Sequence, residues 1–151
     1  MLVPTGGHGM TDEKGGELEV LRGRKVSFSK TIGESDIYGF AGISGDFARV
    51  HVDEAYCAAQ PFRRRVAHGV LLMGFMSTCS TRVLDGFEGT ALSLGYDRVR
   101  FTAPVHIADT VTCHYEITGI DTERRRTTGR IEMVNQNGTT VAVATHILKV
   151  L

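Results

Sequence analysis

An aspartate and a histidine five residues apart, Asp46 and His51, close the segment F-A-G-I-S-G-D-F-A-R-V-H that begins at Phe40. A carboxylate beside an imidazole is a pairing that moves protons near neutral pH. On one continuous helix that offset turns the two side chains about 140° apart, so sharing a substrate requires a loop. Gly42 and Gly45 supply the conformational freedom for one. The same residue types also fit a helix-capping aspartate followed by a surface histidine. A second feature is R-R-R-V-A-H-G-V-L-L, which sets His68 and Gly69 at the start of an apolar segment. The first amides of a helix have no partner within it and lie at the positive end of its dipole. An unobstructed Gly69 N–H is therefore a candidate donor to a carbonyl oxygen that gains charge during a reaction. Close helix packing accounts for the glycine equally, and His68 reads as a structural hydrogen-bonding residue rather than a catalyst.

The elements that must hold these residues follow from hydrophobic period. From Lys25 to Ile32 apolar and polar residues alternate as in a half-buried strand. Glu34 to Ile43 has helical spacing, with Ser35 as N-cap and Gly42 and Gly45 ending the run. Asp53 caps a further turn over Glu54 to Ala59, stopped by Pro61, and the loop between these helices carries Asp46 and His51. From Gly69 to about Leu84 nearly every residue is apolar or small, which predicts a helix of roughly 24 Å surrounded by protein and too short to cross a bilayer. Four strands follow, over Ala91 to Phe101, Thr110 to Ile120, Thr127 to Val134 and Thr139 to Val150, with a hairpin turn at Asn137-Gly138. One strand, short helices, a buried helix and four more strands give an α+β chain with an antiparallel sheet curled round the helix.

Composition narrows the chemistry. The 151 residues fit one domain, over 17–151, with residues 1–16 (five glycines, no apolar run) as a flexible arm. Seventeen basic residues balance seventeen acidic ones, so no net field recruits nucleic acid or anionic lipid. Cys57, Cys79 and Cys113 are too few and too scattered for a disulfide framework or a zinc site, which fits a reducing cytoplasm. No secretory signal or membrane-spanning run is recognisable. His106, His114 and His146 fall in or beside strands without metal-ligand spacing, and no phosphate-binding loop or dinucleotide fingerprint occurs. No metal and no cofactor are expected.

Taken together, Phe40, Ile43, Ser44, Gly45, Asp46, Val50 and His51, the later Ala67 to Leu72, and Val99-Arg100-Phe101 with Pro104-Val105 resemble the MaoC-like dehydratases and (R)-specific enoyl-CoA hydratases over roughly residues 25 to 151. The resemblance implies the hot-dog fold, a sheet wrapped around a long central helix, usually dimeric with sites near the subunit interface. It implies that Asp46 and His51 act jointly as catalytic residues on a water, that the Gly69 amide polarises a thioester carbonyl, and that Ser77 supports the pair. A hydroxyl bonded back to the preceding turn is the other reading of Ser77. Ala48 and Arg49 depart from the family pattern, which has Asn and Pro there. Arg49 is either a cation for the acyl-CoA or a solvated side chain, and Arg63, Arg64 and Arg65 either attract CoA phosphates or form a solvated loop. The Arg124 to Arg126 cluster reads as a charged hairpin tip. The implied activity is reversible hydration of a trans-2-enoyl-CoA, with CoA as substrate carrier, in a homodimer or dimer-based oligomer. A hot-dog thioesterase and a non-catalytic acyl-CoA-binding protein are the alternatives.

Overall fold

Strict alternation along the chain's last strands sets the architecture. The structure, a computed structural model, describes residues 13–151. Its five strands are β1 (Lys25–Thr31), β2 (Ala91–Phe101), β3 (Thr110–Asp121), β4 (Arg126–Asn135) and β5 (Thr140–Val150). They form one antiparallel sheet in the order β1-β3-β4-β5-β2. Every second residue of β3 and β4 is buried, Val111, Cys113, Tyr115 and Ile117 on one and Thr127, Gly129, Ile131 and Met133 on the other. Period two thus gives the sheet one buried face and one wet one. The hairpin at Asn137-Gly138 forms as the sequence predicts, with Gly138 at φ 77° and the Asn135 side chain accepting from the amides of Asn137 and Thr139.

Five helices complete the chain: α1 (Glu13–Glu19), α2 (Glu34–Ser44), α3 (Arg49–Val52), α4 (Glu54–Ala58) and α5 (Gly69–Arg82). Helix α5 lies against the sheet, chiefly on β3 and β1, and buries Leu72, Phe75, Met76, Cys79 and Ser80. The two sheet edges are β1 and β2. This is the hot-dog arrangement expected of the sequence.

Three local expectations are corrected, and a fourth falls mostly outside the described residues. Gly33, not Ser35, is the N-cap of α2, and Asp36 accepts from its amide at 2.8 Å, because a carboxylate at the third helical position reaches back where Ser35 lies already inside the helix. His51 lies on α3, a single helical turn, rather than in a loop. Helix α5 is not enclosed within this chain: Val70 (58% exposed), Gly74, Ser77 and Thr81 form an open face. The arm expected over 1–16 lies, up to residue 12, outside the described residues, and from Glu13 the chain is helical, leading into the fully buried Leu18 and Leu21. No described helix is long and apolar enough to cross a membrane, and all three cysteines are buried thiols.

The core also holds a histidine. His146 is fully buried, with Nδ1 2.9 Å from the Tyr115 hydroxyl and Nε2 2.8 Å from Ser93 Oγ, and Tyr96 stacks on its ring at 4.4 Å. Gly129 makes room for this network, since a Cβ there would collide with the Tyr115 hydroxyl. Burial pushes His146 down from its ordinary 6.5 to about 4. The unfolded chain therefore takes up a proton that the folded chain refuses. The stability due to neutral His146 is complete above pH 6.5 and is lost as pH falls towards 4, by about 3 kcal/mol in all. Urea denaturation at pH 7 and pH 4.5 is expected to show this loss in the wild type and a smaller one in His146→Gln; equal losses would remove His146 as the cause.

Candidate active site

The loop from Gly45 to Ala48 is short, and each of its bonds aims a side chain. Helix α2 ends on Gly45 in the left-handed region at φ 79°, a conformation that costs a side-chain-bearing residue more. The Ser44 hydroxyl donates to the Phe40 carbonyl at 2.7 Å and accepts from the Asp46 amide at 3.2 Å. Asp46 Oδ1 accepts from the Ala48 amide at 3.2 Å, an Asx turn that fixes the carboxylate against its own backbone. Ala48 is the N-cap of α3, so Arg49 occupies the first helical position. Proline is favoured at such a position but not required. The chain therefore turns here without the proline of the family pattern.

His51 is brought back to Asp46 by a second strand of chain. The Val66 amide donates to the Val50 carbonyl at 3.0 Å, and His51 Nδ1 lies 2.7 Å from the Val66 carbonyl. A carbonyl only accepts, so in the neutral ring Nδ1 carries the hydrogen and Nε2 is the bare nitrogen. That nitrogen lies 3.9 Å from Asp46 Oδ2. Two acceptors at this spacing do not bond to each other. The gap suits one bridging donor. The imidazole is 13% exposed and the carboxylate 54%, so the pair opens to solvent from the carboxylate side. The reading of His51 as a surface residue is thus corrected, and Asp46 caps an Asx turn rather than a helix.

Below His51 lies His68, the N-cap of α5, 2% exposed. Its ring stacks on that of His51 with centroids 3.7 Å apart, and its Nε2 is 2.9 Å from the Asp46 carbonyl. The His68 side chain does not cap the first amides of α5, and among the described residues no hydrogen bond engages the Gly69 N–H, which leaves it as a donor one residue from the stacked rings. Phe101 lies flat on Gly69, where a Cβ would come within 2.7 Å of the ring. From there a groove of about 660 Å³ runs past Phe62, Leu72, Phe101 and Val105, almost wholly apolar.

Asp46, His51 and His68 bring three donor atoms within 4.8 Å of one another, of types that suit a first-row cation. The two rings are stacked, however, with planes 27° apart. Their lone pairs lie in those planes and run side by side instead of converging on a point about 2 Å from both nitrogens. The trio is arranged for protons rather than for a metal.

Other expected residues fall elsewhere. Arg49 turns to Asp53, with Nη2 2.9 Å from Oδ2, and lies over the Tyr56 ring at 4.3 Å, so it is paired within its own turn while its side chain stays mostly exposed. The Tyr56 amide and Arg49 together hold the Asp53 carboxyl below the usual range. Ser77 is two turns beyond Gly69 on the open face of α5, and no contact joins it to Asp46 or His51 among the described residues. It does not bond back to the preceding turn; Thr78, Ser80 and Thr81 do so instead. Ser80 and Ser77 lie near Tyr96, whose phenol burial pushes up and these hydroxyls pull down. Arg65 is no solvated loop residue either. It is ion-paired with Glu34 and Glu54, which raise its pKa, and is mostly buried. Arg64 donates to the Ile107 carbonyl. Arg124 pairs with Asp121 at the tip of the β3–β4 hairpin, as expected.

Two roles escaped the sequence. Ser44 stands in the motif, and its bond to the Asp46 amide had a usable signal as a hydroxyl turn. The Val66 carbonyl had none, since every residue has one.

Three comparisons bear on this geometry. Residues 17–142 match the family described as MaoC like domain. An (R)-specific enoyl-CoA hydratase of Rhodospirillum rubrum is 39% identical over 112 residues, 74% of this chain and 76% of that one. One of the same description from Aeromonas caviae is 30% identical over 136 residues, covering 87% and 95%. The solved (R)-hydratase of A. caviae, described as involved in PHA biosynthesis, superposes with a TM-score of 0.78 at 28% identity over 86% of this chain and 96% of that one.

The tautomers are directly measurable. At a pH where both rings are neutral, two-bond ¹H–¹⁵N spectra are expected to find hydrogen on Nδ1 of His51 and on Nε2 of His68. The reverse assignment for His51 would place a hydrogen where a basic nitrogen is needed.

Proposed function

Because the chain belongs to the MaoC-like domain family, we propose that it is an (R)-specific enoyl-CoA hydratase, adding water reversibly across a trans-2-enoyl-CoA to give an (R)-3-hydroxyacyl-CoA. The observation that carries this reading is the 3.9 Å gap between two acceptors, His51 Nε2 and Asp46 Oδ2. A water donating one hydrogen to each directs its lone pair away from both, towards a substrate β-carbon. As the new C–O bond forms, the β-carbon's π electrons move to the α-carbon and on to the thioester oxygen. The Gly69 amide at the head of α5 is stronger towards that oxyanion than towards the starting carbonyl. The water's proton passes to the Asp46–His51 pair, and the pair returns a proton to the α-carbon, so the site ends as it began. The two residues act as one device and share the acid and base roles. The apolar groove beyond Gly69 supports an acyl-thioester substrate carried by CoA.

A second copy of the chain fits the same reading. The edge strand β2 exposes Leu92 (55%) and Leu94 (51%), and α5 separately exposes Val70 (58%). Apolar edges of this kind are normally covered, and a two-fold partner along β2 covers this one.

Crotonyl-CoA distinguishes the chemistries. Loss of enoyl absorbance without free thiol is expected; thiol release with the enoyl group intact would identify a thioesterase. Asp46→Asn or His51→Ala should lower turnover by about 10²-fold or more, with the double variant little worse than the worse single. Sedimentation at micromolar concentration should find a species at least twice 16.5 kDa; a monomer alone would refute the assembly.

A further inference from the structure

His68 holds an uncomfortable position. It is buried, its Nε2 serves the Asp46 carbonyl, and its Nδ1 is enclosed without any hydrogen-bond partner among the described residues. Since the carbonyl demands a hydrogen on Nε2, Nδ1 is a bare acceptor shut away from water, an unfavourable arrangement. An apolar side chain would fill the same space without that cost. What histidine adds is the Nε2–H and the flat ring face.

Both of those are turned on the reacting pair. The ring face lies 3.7 Å from His51, backed on its other contacts by Phe40 at 4.9 Å. The Nε2–H takes the Asp46 carbonyl at 2.9 Å, across 22 residues of chain. The remaining restraints on Asp46, from Ser44 and Ala48, are both 3.2 Å long and both local to the loop. His68 is itself set by a firm frame, as N-cap of α5 and next to Ala67, whose amide donates to the Val105 carbonyl at 2.7 Å.

We propose that His68 is a positioning residue that sets the separation of Asp46 and His51, registering the carbonyl of one and the ring plane of the other against the head of α5. Since α5 also carries the Gly69 amide, one ring ties the water-binding pair to the donor for the thioester oxygen. His68 touches neither water nor substrate in this role, because its free nitrogen is enclosed. The inference rests on the hydratase reading for its kinetic consequence, while its geometric consequence stands apart from it.

Two variants separate the functions of the ring. His68→Phe keeps a flat face and removes the donor; His68→Gln keeps an N–H and removes the stack. In His68→Phe, kcat for crotonyl-CoA hydration should fall about 10²-fold, the scale of an ångström's misplacement. KM should stay within about two-fold of wild type, since the loss falls on the reaction step. His68→Gln should recover about ten-fold of that loss by restoring the bond to Asp46. In an Asp46→Asn background, His68→Phe should cost nothing further, because the residue it positions no longer works. A crystal structure of His68→Phe should show Asp46 Oδ2 displaced from the 3.9 Å it keeps from His51 Nε2. The proposal is overturned by wild-type kcat in His68→Phe, by an equal loss with and without Asp46→Asn, or by an unchanged 3.9 Å separation. It is also overturned by a His68→Gln variant no better than His68→Phe. If the wild type fails to hydrate any enoyl-CoA, the hydratase reading falls, and the crystal structure of either variant still decides whether His68 sets the separation.

Discussion

The hydrogen bond between His51 Nδ1 and the Val66 carbonyl governs the rest of the site, because it decides which nitrogen of the imidazole is basic and where that nitrogen points. A carbonyl has no hydrogen to give, so the tautomer follows from the backbone alone. Val66 is in turn fixed by its own amide on Val50, by a bridge to His106, and by Ala67 held on Val105. The loop that carries the carboxylate, the turn that carries the imidazole and the segment leading into the central helix are thereby one hydrogen-bonded unit.

That unit sits on a core whose two layers differ in how completely they are covered. The sheet is paired along every internal strand and buries alternate residues along most of β3, β4 and β5. The helix covers it on one side only and leaves Val70, Gly74, Ser77 and Thr81 open within a single chain. A small-residue face of this kind admits the close approach of another backbone. Val70 on this face is one residue from Gly69, so the surface that the isolated chain leaves uncovered borders the start of the helix, where the candidate chemistry is. Three polar groups that the core admits are tied to one another: the Tyr115 hydroxyl, His146 and Ser93 form one chain of bonds beneath Gly129.

Charge is used sparingly and locally. Arg65 joins Glu34 at the head of α2 to Glu54 on α4, and Arg49 closes on Asp53 and Tyr56. Both arginines therefore brace the short helices around the loop. The groove beside Gly69 is left apolar. In such surroundings the few remaining polar groups, one carboxylate, one basic nitrogen and one helix-terminal amide, act with little competition from other charges.

Sequence alone determined whatever depends on period and on residue chemistry at fixed spacing. Alternation from Thr110 onward specified an antiparallel sheet, because a one-residue slip would turn every buried side chain outwards. The small and apolar run after Gly69 specified the central helix, and the S-G-D and V-H ends of one segment specified the two side chains that meet. Tertiary structure decided what depends on backbone groups and on neighbours distant in the chain. Nothing in the sequence marks the Val66 carbonyl as the partner of His51, or the Asp46 carbonyl as that of His68, since such acceptors are present at every residue and only folding selects one. Arg65 illustrates the same limit. It reads from sequence as a phosphate-attracting cation or a solvated loop residue, and it was the placement of Glu34 and Glu54, residues 31 and 11 positions away, that committed it to structure.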